Sequence, residues 1–487
     1  MNLKIWASIA MLTLLPPGFP HDSYQAAGRP PWVLTIQSLD GRDYADLQFL
    51  RPILEDARIV QLGENGHGAS ESMAVRSRLV RFLHAELGFT VLAFESSLFL
   101  CHLGDVAAPA GDPSNTLTRS LIGVWHTEEV LPLFAYMKST RSGIAPLRLA
   151  GFDVQPIGSG RRERPAFFER VVAVIDPKYA QEVLDLDRRF NAEYEKGTAA
   201  RRAFLRSNAA ELGQSYERLA QFIQSNLTSM QQQLGREVPI IARQEARSMA
   251  AYVHQQAAAE IRDYVEIRDK AMADNLAFIA DELFPGQKVL VWGHNYHVRH
   301  DNAAIPPQPD VFPGVAARSM GSWVRERYGD RVYTIGQYEV EGEAADNSRK
   351  PYAIAKPPDG SLEHRLNTGL RLSFIDLRTA SRLPGSAWLR QPIRARYNGQ
   401  HPESIVPVNQ FDGLLMIAKV TPPALSLLSI LAHRPSPIAH RPSPIAHRPS
   451  PIYSLRSESS GLTRVARRAG SHTASTTAAA SVGTATT

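Results

Sequence analysis

Arg58-Ile59-Val60-Gln61-Leu62-Gly63-Glu64-Asn65-Gly66-His67-Gly68 is a short apolar run that breaks into glycines, a glutamate and a histidine. A counterpart lies more than two hundred positions downstream, Lys288-Val289-Leu290-Val291-Trp292-Gly293-His294-Asn295-Tyr296-His297. A short apolar run bounded by turn residues reads as a buried strand. Two such strands, each ending in acid/base side chains, point to one site assembled by the fold. The glycines at 63, 66 and 68 permit a tight turn that projects His67 into a cleft.

Working outward, residues 71–87 place Met73, Leu79, Val80, Leu83 and Leu87 near a helical period, and Gly88 supplies a C-terminal cap. Residues 90–94 read as a strand and 129–139 as a helix. Residues 147–151 read as a strand ending in Phe152-Asp153. This alternation predicts an α/β fold with a mostly parallel sheet flanked by helices. From about 164 to 284 glycine becomes rare and Ala, Gln, Arg, Glu and Leu dominate. That composition predicts a large all-helical insertion between two strands of the sheet. Strand character returns at 288–292, 331–335, 373–377 and 414–417, and Val420-Thr421-Pro422-Pro423 reads as a domain terminus, giving one domain over 33–423.

Beyond it the sequence loses the marks of a folded core. His433-Arg434-Pro435-Ser436-Pro437-Ile438-Ala439 recurs at 440–446 and, truncated, at 447–452. Three Pro-rich copies of this length do not make a solenoid. The 424–487 segment reads as a disordered, low-complexity tail and its histidines as an expanded coding repeat. The tail also explains the charge. The 487 residues carry 54 basic and 48 acidic side chains, a net +6. Seven arginines and one glutamate lie past residue 424, so the rest holds 47 of each sign. The balanced domain gives no electrostatic case for a nucleic-acid partner. At the other end, Lys4 precedes the apolar run Ile5 to Leu15, then Pro16-Pro17-Gly18 and the small residues Ala26-Ala27. This has the length of a secretory leader over 1–27, implying export, and is too short to span a bilayer. No other stretch predicts an integral membrane segment. Cys101, the one cysteine, follows Phe99-Leu100 and reads as packed rather than nucleophilic.

The polar residues then fall into place. Glu64 and His67 follow the first strand, Glu95 the second, Asp153 the third, and His294 and His297 the fourth. Open parallel sheets bind ligands outside the carboxyl ends of their strands. Histidine is the natural general base near neutral pH and needs an orienting carboxylate, for which Glu64 and Glu95 are candidates. Two neighbouring carboxylates can raise one pKa and so supply a general acid. Arg76, in the helix after the first motif, can pair with a carboxylate or bind an anionic intermediate. No Gly-x-Ser-x-Gly elbow exists. A hydrolase built this way would activate water. Metal is the competing route, since His294-x-x-His297 with a glutamate can hold zinc or manganese. Without His-Glu-x-x-His the expectation is metal-free acid/base chemistry and no cofactor. Against this stands a plain structural reading, with Glu64 capping a helix, Asp153 in a turn and the histidines satisfied at a strand end.

Taken together, Gly63-Glu64-x-x-His67-Gly68, the helix through Arg76, and Gly88-Phe89-x-Val91-x-Ala93-x-Glu95 resemble the opening motif of the erythromycin esterase family. Trp125-x-Thr127-x-Glu129, Gly151-Phe152-Asp153-x-Gln155, Arg268-Asp269-x-x-Met272-x-x-Asn275 and Trp292-x-His294-Asn295-x-His297 continue it in order. The resemblance implies an α/β core with a helical insertion and hydrolysis of a small-molecule ester, with macrolide lactones as the named substrate. It implies His67 as the base, Glu64, Arg76 and Glu95 as its charged supports, and His294 and His297 as a second pair. Asp153, Arg268 and Asn295 match as supporting or substrate-binding positions, and the family is regarded as working without bound metal. The tail after 424 has no counterpart. Two further readings of the same sheet edge are a non-catalytic site for a metal or haem-like ligand and a hydrolase of a cell-envelope polysaccharide ester.

Overall fold

The computed structural model describes residues 30–308 and 313–425. Its strands, numbered in chain order, are β1 (Leu34–Ile36), β2 (Ile59–Glu64), β3 (Phe89–Ser97), β4 (Arg148–Asp153) and β5 (Lys288–His294), followed by β6 (Val332–Ala345), β7 (Pro351–Ile354), β8 (Leu372–Asp376), β9 (Ile393–Tyr397), β10 (His401–Ile405) and β11 (Gly413–Val420). Every residue of β2 is buried. A strand with no polar face needs cover on both sides and partners on both edges. It pairs in parallel with β5 on one edge and β6 on the other.

The sheet runs β1-β8-β11-β6-β2-β5-β3-β4, with β7 antiparallel to β6. From β11 to β4 all pairings are parallel. The strand expected at 373–377 is β8, antiparallel to both β11 and β1. The mostly parallel sheet flanked by helices is thus the observed fold.

The period-two alternation of the strands separates two cores. Val60, Leu62, Leu92, Leu290 and Trp292 pack with Met73, Leu79 and Leu83 of the Ser70–Leu87 helix and Phe134 of the Leu131–Thr140 helix. Ile59, Val91, Ala93, Val289 and Val291 pack on the opposite side against residues such as Met249 and Leu276. These belong to the insertion, where residues 164–284 form helices, among them Arg164–Ala173, Pro177–Glu195, Ala209–Ser225, Glu237–Ala257 and Ile261–Phe278, and no strand. Buried Arg164 ties three of these helices together, bonding Asp187 at 2.8 Å and Glu245 at 3.3 Å.

Two details position the site. Gly88 ends the Ser70–Leu87 helix in the left-handed region, as its sequence position predicts. The Ile261–Phe278 helix returns to the sheet edge through Asn275, whose Nδ2 donates to the Phe152 carbonyl at 3.0 Å. That contact brings Arg268 and Asp269 over the strand ends. The expected leader over 1–27 and the repeats from 433 onward lie outside the described residues. No described helix is long and apolar enough to cross a membrane.

Candidate active site

Because β5 lies between β2 and β3, the sheet sets Glu64, His294, Glu95 and Asp153 at successive strand ends. Glu64 and His294 are register partners. Glu95 sits where β3 slips register between Phe94 and Ser97, a bulge that re-aims its side chain.

Glu64 is fully buried and its two oxygens meet four donors. His67 Nδ1 lies 2.6 Å from Oε1 and Trp125 Nε1 donates to Oε1 at 3.1 Å. Trp292 Nε1 donates to Oε2 at 3.2 Å and Arg76 pairs with the same oxygen. Burial alone would raise the Glu64 pKa, but Arg76 and His67 outweigh it and hold it low. A carboxylate only accepts, so the proton between it and His67 belongs to Nδ1. Neutral His67 therefore presents the lone pair of Nε2, which takes no hydrogen bond among the described residues. Burial disfavours the imidazolium, yet the Glu64 charge wins and raises the His67 pKa. The side chain retains 13% exposure. Gly66 adopts φ 113° in the turn that delivers it, and a Cβ on Gly68 would fall 1.8 Å from the Ala345 carbonyl oxygen. These are separate reasons for two glycines in one motif.

The second motif divides its two histidines. His294 Nδ1 accepts the Tyr296 backbone N–H at 3.0 Å, capping the next turn, so its proton sits on Nε2, 2.8 Å from Asn398 Oδ1. Burial first, then the neighbouring His67, pushes its pKa down to about 3. His297 has carboxylates on both sides, Asp269 at 2.8 Å from Nδ1 and Glu95 at 3.2 Å from Nε2. They overcome burial and the adjacent Arg268 and push it up to about 10. One imidazole is neutral and the other a buried cation. Both ring nitrogens of each are engaged, so the His-x-x-His spacing does not present two lone pairs to a common point. Among the described residues no group of three or more His, Cys, Asp or Glu is arranged to hold a metal ion.

Arg268 spans the remaining acids. It bonds Asp153 through Nε and Nη2 at 3.0 and 2.8 Å, and Glu95 through Nη2 at 3.1 Å. Burial would raise the Glu95 pKa, but His297 and Arg268 hold it well below the usual range.

Three expectations change. Glu64, not Glu95, orients His67, because Glu95 is taken by His297, Arg268 and the His294 N–H at 2.8 Å. Neither Glu64 nor Glu95 is raised to serve as a general acid, since adjacent cations hold both low. Arg76 is 1% exposed, bound to Glu64, Gln337 and the Gly63 carbonyl, and cannot meet an intermediate. Asn295 supports from behind the site: its amide pairs doubly with the Gln337 backbone at 2.7 and 3.2 Å. Cys101 is buried, and burial pushes its thiol up, away from thiolate chemistry. Sequence reading missed Asp269, Asn398, Gln337, Glu339 and the tryptophan donors. Asp269 carried a signal, being adjacent to Arg268 in a quoted motif. Trp125 and Trp292 likewise head two of the quoted motifs, whereas Asn398, Gln337 and Glu339 are single polar residues without periodic or motif context.

The comparisons with known proteins give the family. The erythromycin esterase family model matches residues 84–420, which takes in Glu95, Asp153, Arg268, His294 and His297 and begins after Glu64, His67 and Arg76. The Bacillus subtilis (strain 168) protein YbfO, which carries a provisional hydrolase name, is 31% identical over 396 residues, 77% of this chain and 87% of that protein. An Escherichia coli type II erythromycin esterase is 23% identical over 372 residues, 69% of this chain and 84% of that enzyme. A solved erythromycin esterase mutant in its open conformation has the same fold, with a TM-score of 0.61 at 17% identity over 81% of this chain and 99% of that one. With the strand-end acids and histidines arranged as described and most of the chain matched, the protein belongs to the erythromycin esterase family, a family of hydrolases.

Proposed function

We propose that the chain hydrolyses a carboxylic ester with water activated by His67, and that a macrolide lactone is one substrate. The observation that carries this reading is the Glu64–His67 pair, which leaves the Nε2 lone pair of a ring that is 13% exposed without a partner among the described residues. His67 takes a proton from water as its oxygen bonds the carbonyl carbon. The ester C–O bond then breaks, and His67 returns the proton to the leaving alkoxide. His294 enters as a neutral Nε2–H donor toward the carbonyl oxygen once Asn398 yields, and a neutral imidazole serves well as such an electrophile. His297 and Arg268 stay cationic and hold Glu95 and Asp153 in place. The family relationship supports hydrolysis, and the printed name of the Escherichia coli relative suggests the macrolide.

Mass spectrometry of products from erythromycin and an ester panel tests this. Wild type should add one water, and His67→Asn should fold yet lose turnover by ~10³-fold or more. Near-normal turnover in that variant rules out the mechanism.

The pH dependence carries a sign. His67 acts as base only when neutral, and Glu64 raises its pKa above the ordinary 6.5. The rate kcat/KM should therefore fall as pH drops through a midpoint above 6.5. An acid limb centred near 4 would assign the base to a carboxylate instead.

A further inference from the structure

Glu339 lies on β6, 1% exposed, one strand from Glu64 on β2 and two from His294 on β5. Its oxygens accept from two amides, Gln337 Nε2 at 2.7 Å and Asn65 Nδ2 at 3.0 Å. Each amide turns its own carbonyl toward one half of the site. Gln337 Oε1 accepts from Arg76 Nη1 at 2.7 Å, and Arg76 pairs with Glu64, the partner of His67. Asn65 Oδ1 accepts the Asn398 backbone N–H at 2.8 Å, and Asn398 Oδ1 holds His294 Nε2. Asn398 is one of two described non-glycine residues with positive φ, at 54°, so this turn needs outside support. Second donations fix the amide orientations, from Gln337 Nε2 to Ser72 Oγ at 2.6 Å and from Asn65 Nδ2 to the Arg396 carbonyl at 3.0 Å.

We propose that Glu339 is a positioning residue that sets His67 and His294 together, through Gln337 and Asn65. The inference rests on the reading of His67 as base. The physical reason for an acid here is that only a carboxylate offers acceptors on both oxygens and no donor; burial pushes the Glu339 pKa up to about 7, so it holds both amides in this way above that pH, where the test is read. Glutamine in its place has the same volume but puts an NH₂ against one of the two NH₂ groups. One amide must then rotate. Rotating Asn65 opposes donor to donor at the Asn398 N–H and frees the turn beside His294. Rotating Gln337 does the same at Arg76 and loosens Glu64. The other charged or titratable groups around Glu339 are Arg396, which donates to its backbone carbonyl at 3.0 Å and faces Glu363, and the Tyr352 phenol.

The test uses the full chain carrying Glu339→Gln, with 4-nitrophenyl butyrate and erythromycin as probes. A displaced site should lower kcat by ~10–100-fold with KM within about two-fold. Histidine side-chain NMR supplies a readout that simple space-filling would not move. Wild type should show His294 as a fixed Nε2–H tautomer, and the variant should disturb that signal or shift the His67 titration. Wild-type kcat, or lost kcat with both ring signals unmoved, overturns the proposal. Should the variant fail to fold, Asn398→Ala and Gln337→Met each cut one arm. The first should move the His294 signals and the second the His67 titration, and the proposal fails if neither does. Wild type inert on both probes would count against the hydrolytic reading, while the NMR result still decides the role of Glu339.

Discussion

Glu64→Gln should lower kcat by ~10³–10⁴-fold, the scale seen when a buried orienter of a catalytic histidine loses its charge. The four donors around Glu64 leave no room for a fifth: the His67 ring, both indoles and Arg76 all point inward. A glutamine must turn its NH₂ toward one of them. If that one is His67, the imidazole keeps its proton on Nε2 and has no lone pair for water. The lost charge also removes what raises the His67 pKa, so the acid limb of kcat/KM should move to lower pH. Steady-state kinetics across pH, beside a thermal melt showing a folded variant, checks both effects. Activity within ten-fold of wild type would mean that another group orients the base.

Arg268→Met should cost ~3–5 kcal/mol of stability, because it strips a buried ion cluster of the cation shared by two acids. Asp153 and Glu95 are 2% and 4% exposed, so water cannot replace the guanidinium. The loss should depend on pH. In wild type the low Glu95 pKa stabilises the fold above the unfolded value, and that stability fades as pH falls through the folded value. Without Arg268 the carboxyl titrates higher and is neutralised sooner. The deficit measured by urea unfolding should therefore be larger at pH 7.5 than at pH 4.5. An equal deficit at both would assign the loss to packing alone.

The parallel core was legible because its strands are continuous apolar runs ending in turn residues. The insertion was legible because its composition excludes strands. The short edge elements were not. β1 has three residues and β7 four, too few to show a period, and β8 looks like any other buried strand although it runs antiparallel. At the site, the sequence located Glu64, His67, Glu95, Asp153, His294 and His297 at strand ends. It could not show that β5 inserts between β2 and β3, which decides which acid meets which histidine. Nor could it separate His294 from His297. Three positions apart in sequence, they differ because one caps a turn with a ring nitrogen and the other reaches Asp269 on a helix from the insertion.

The strand order has a consequence for biosynthesis. Both neighbours of β2 are made after the insertion: Gln61 pairs with Val291 on one edge and Thr334 on the other. Growing from the ribosome at ~5–20 residues per second, the chain carries an apolar strand with two bare edges for ten seconds or more. Messages cut before β6 would yield polypeptides with that strand incompletely paired, prone to aggregate rather than to persist as half-enzymes. Whatever the cell gains from a site spread across the whole chain, it acquires only on completing translation, and a nascent-chain chaperone would find its client segment at Ile59–Glu64.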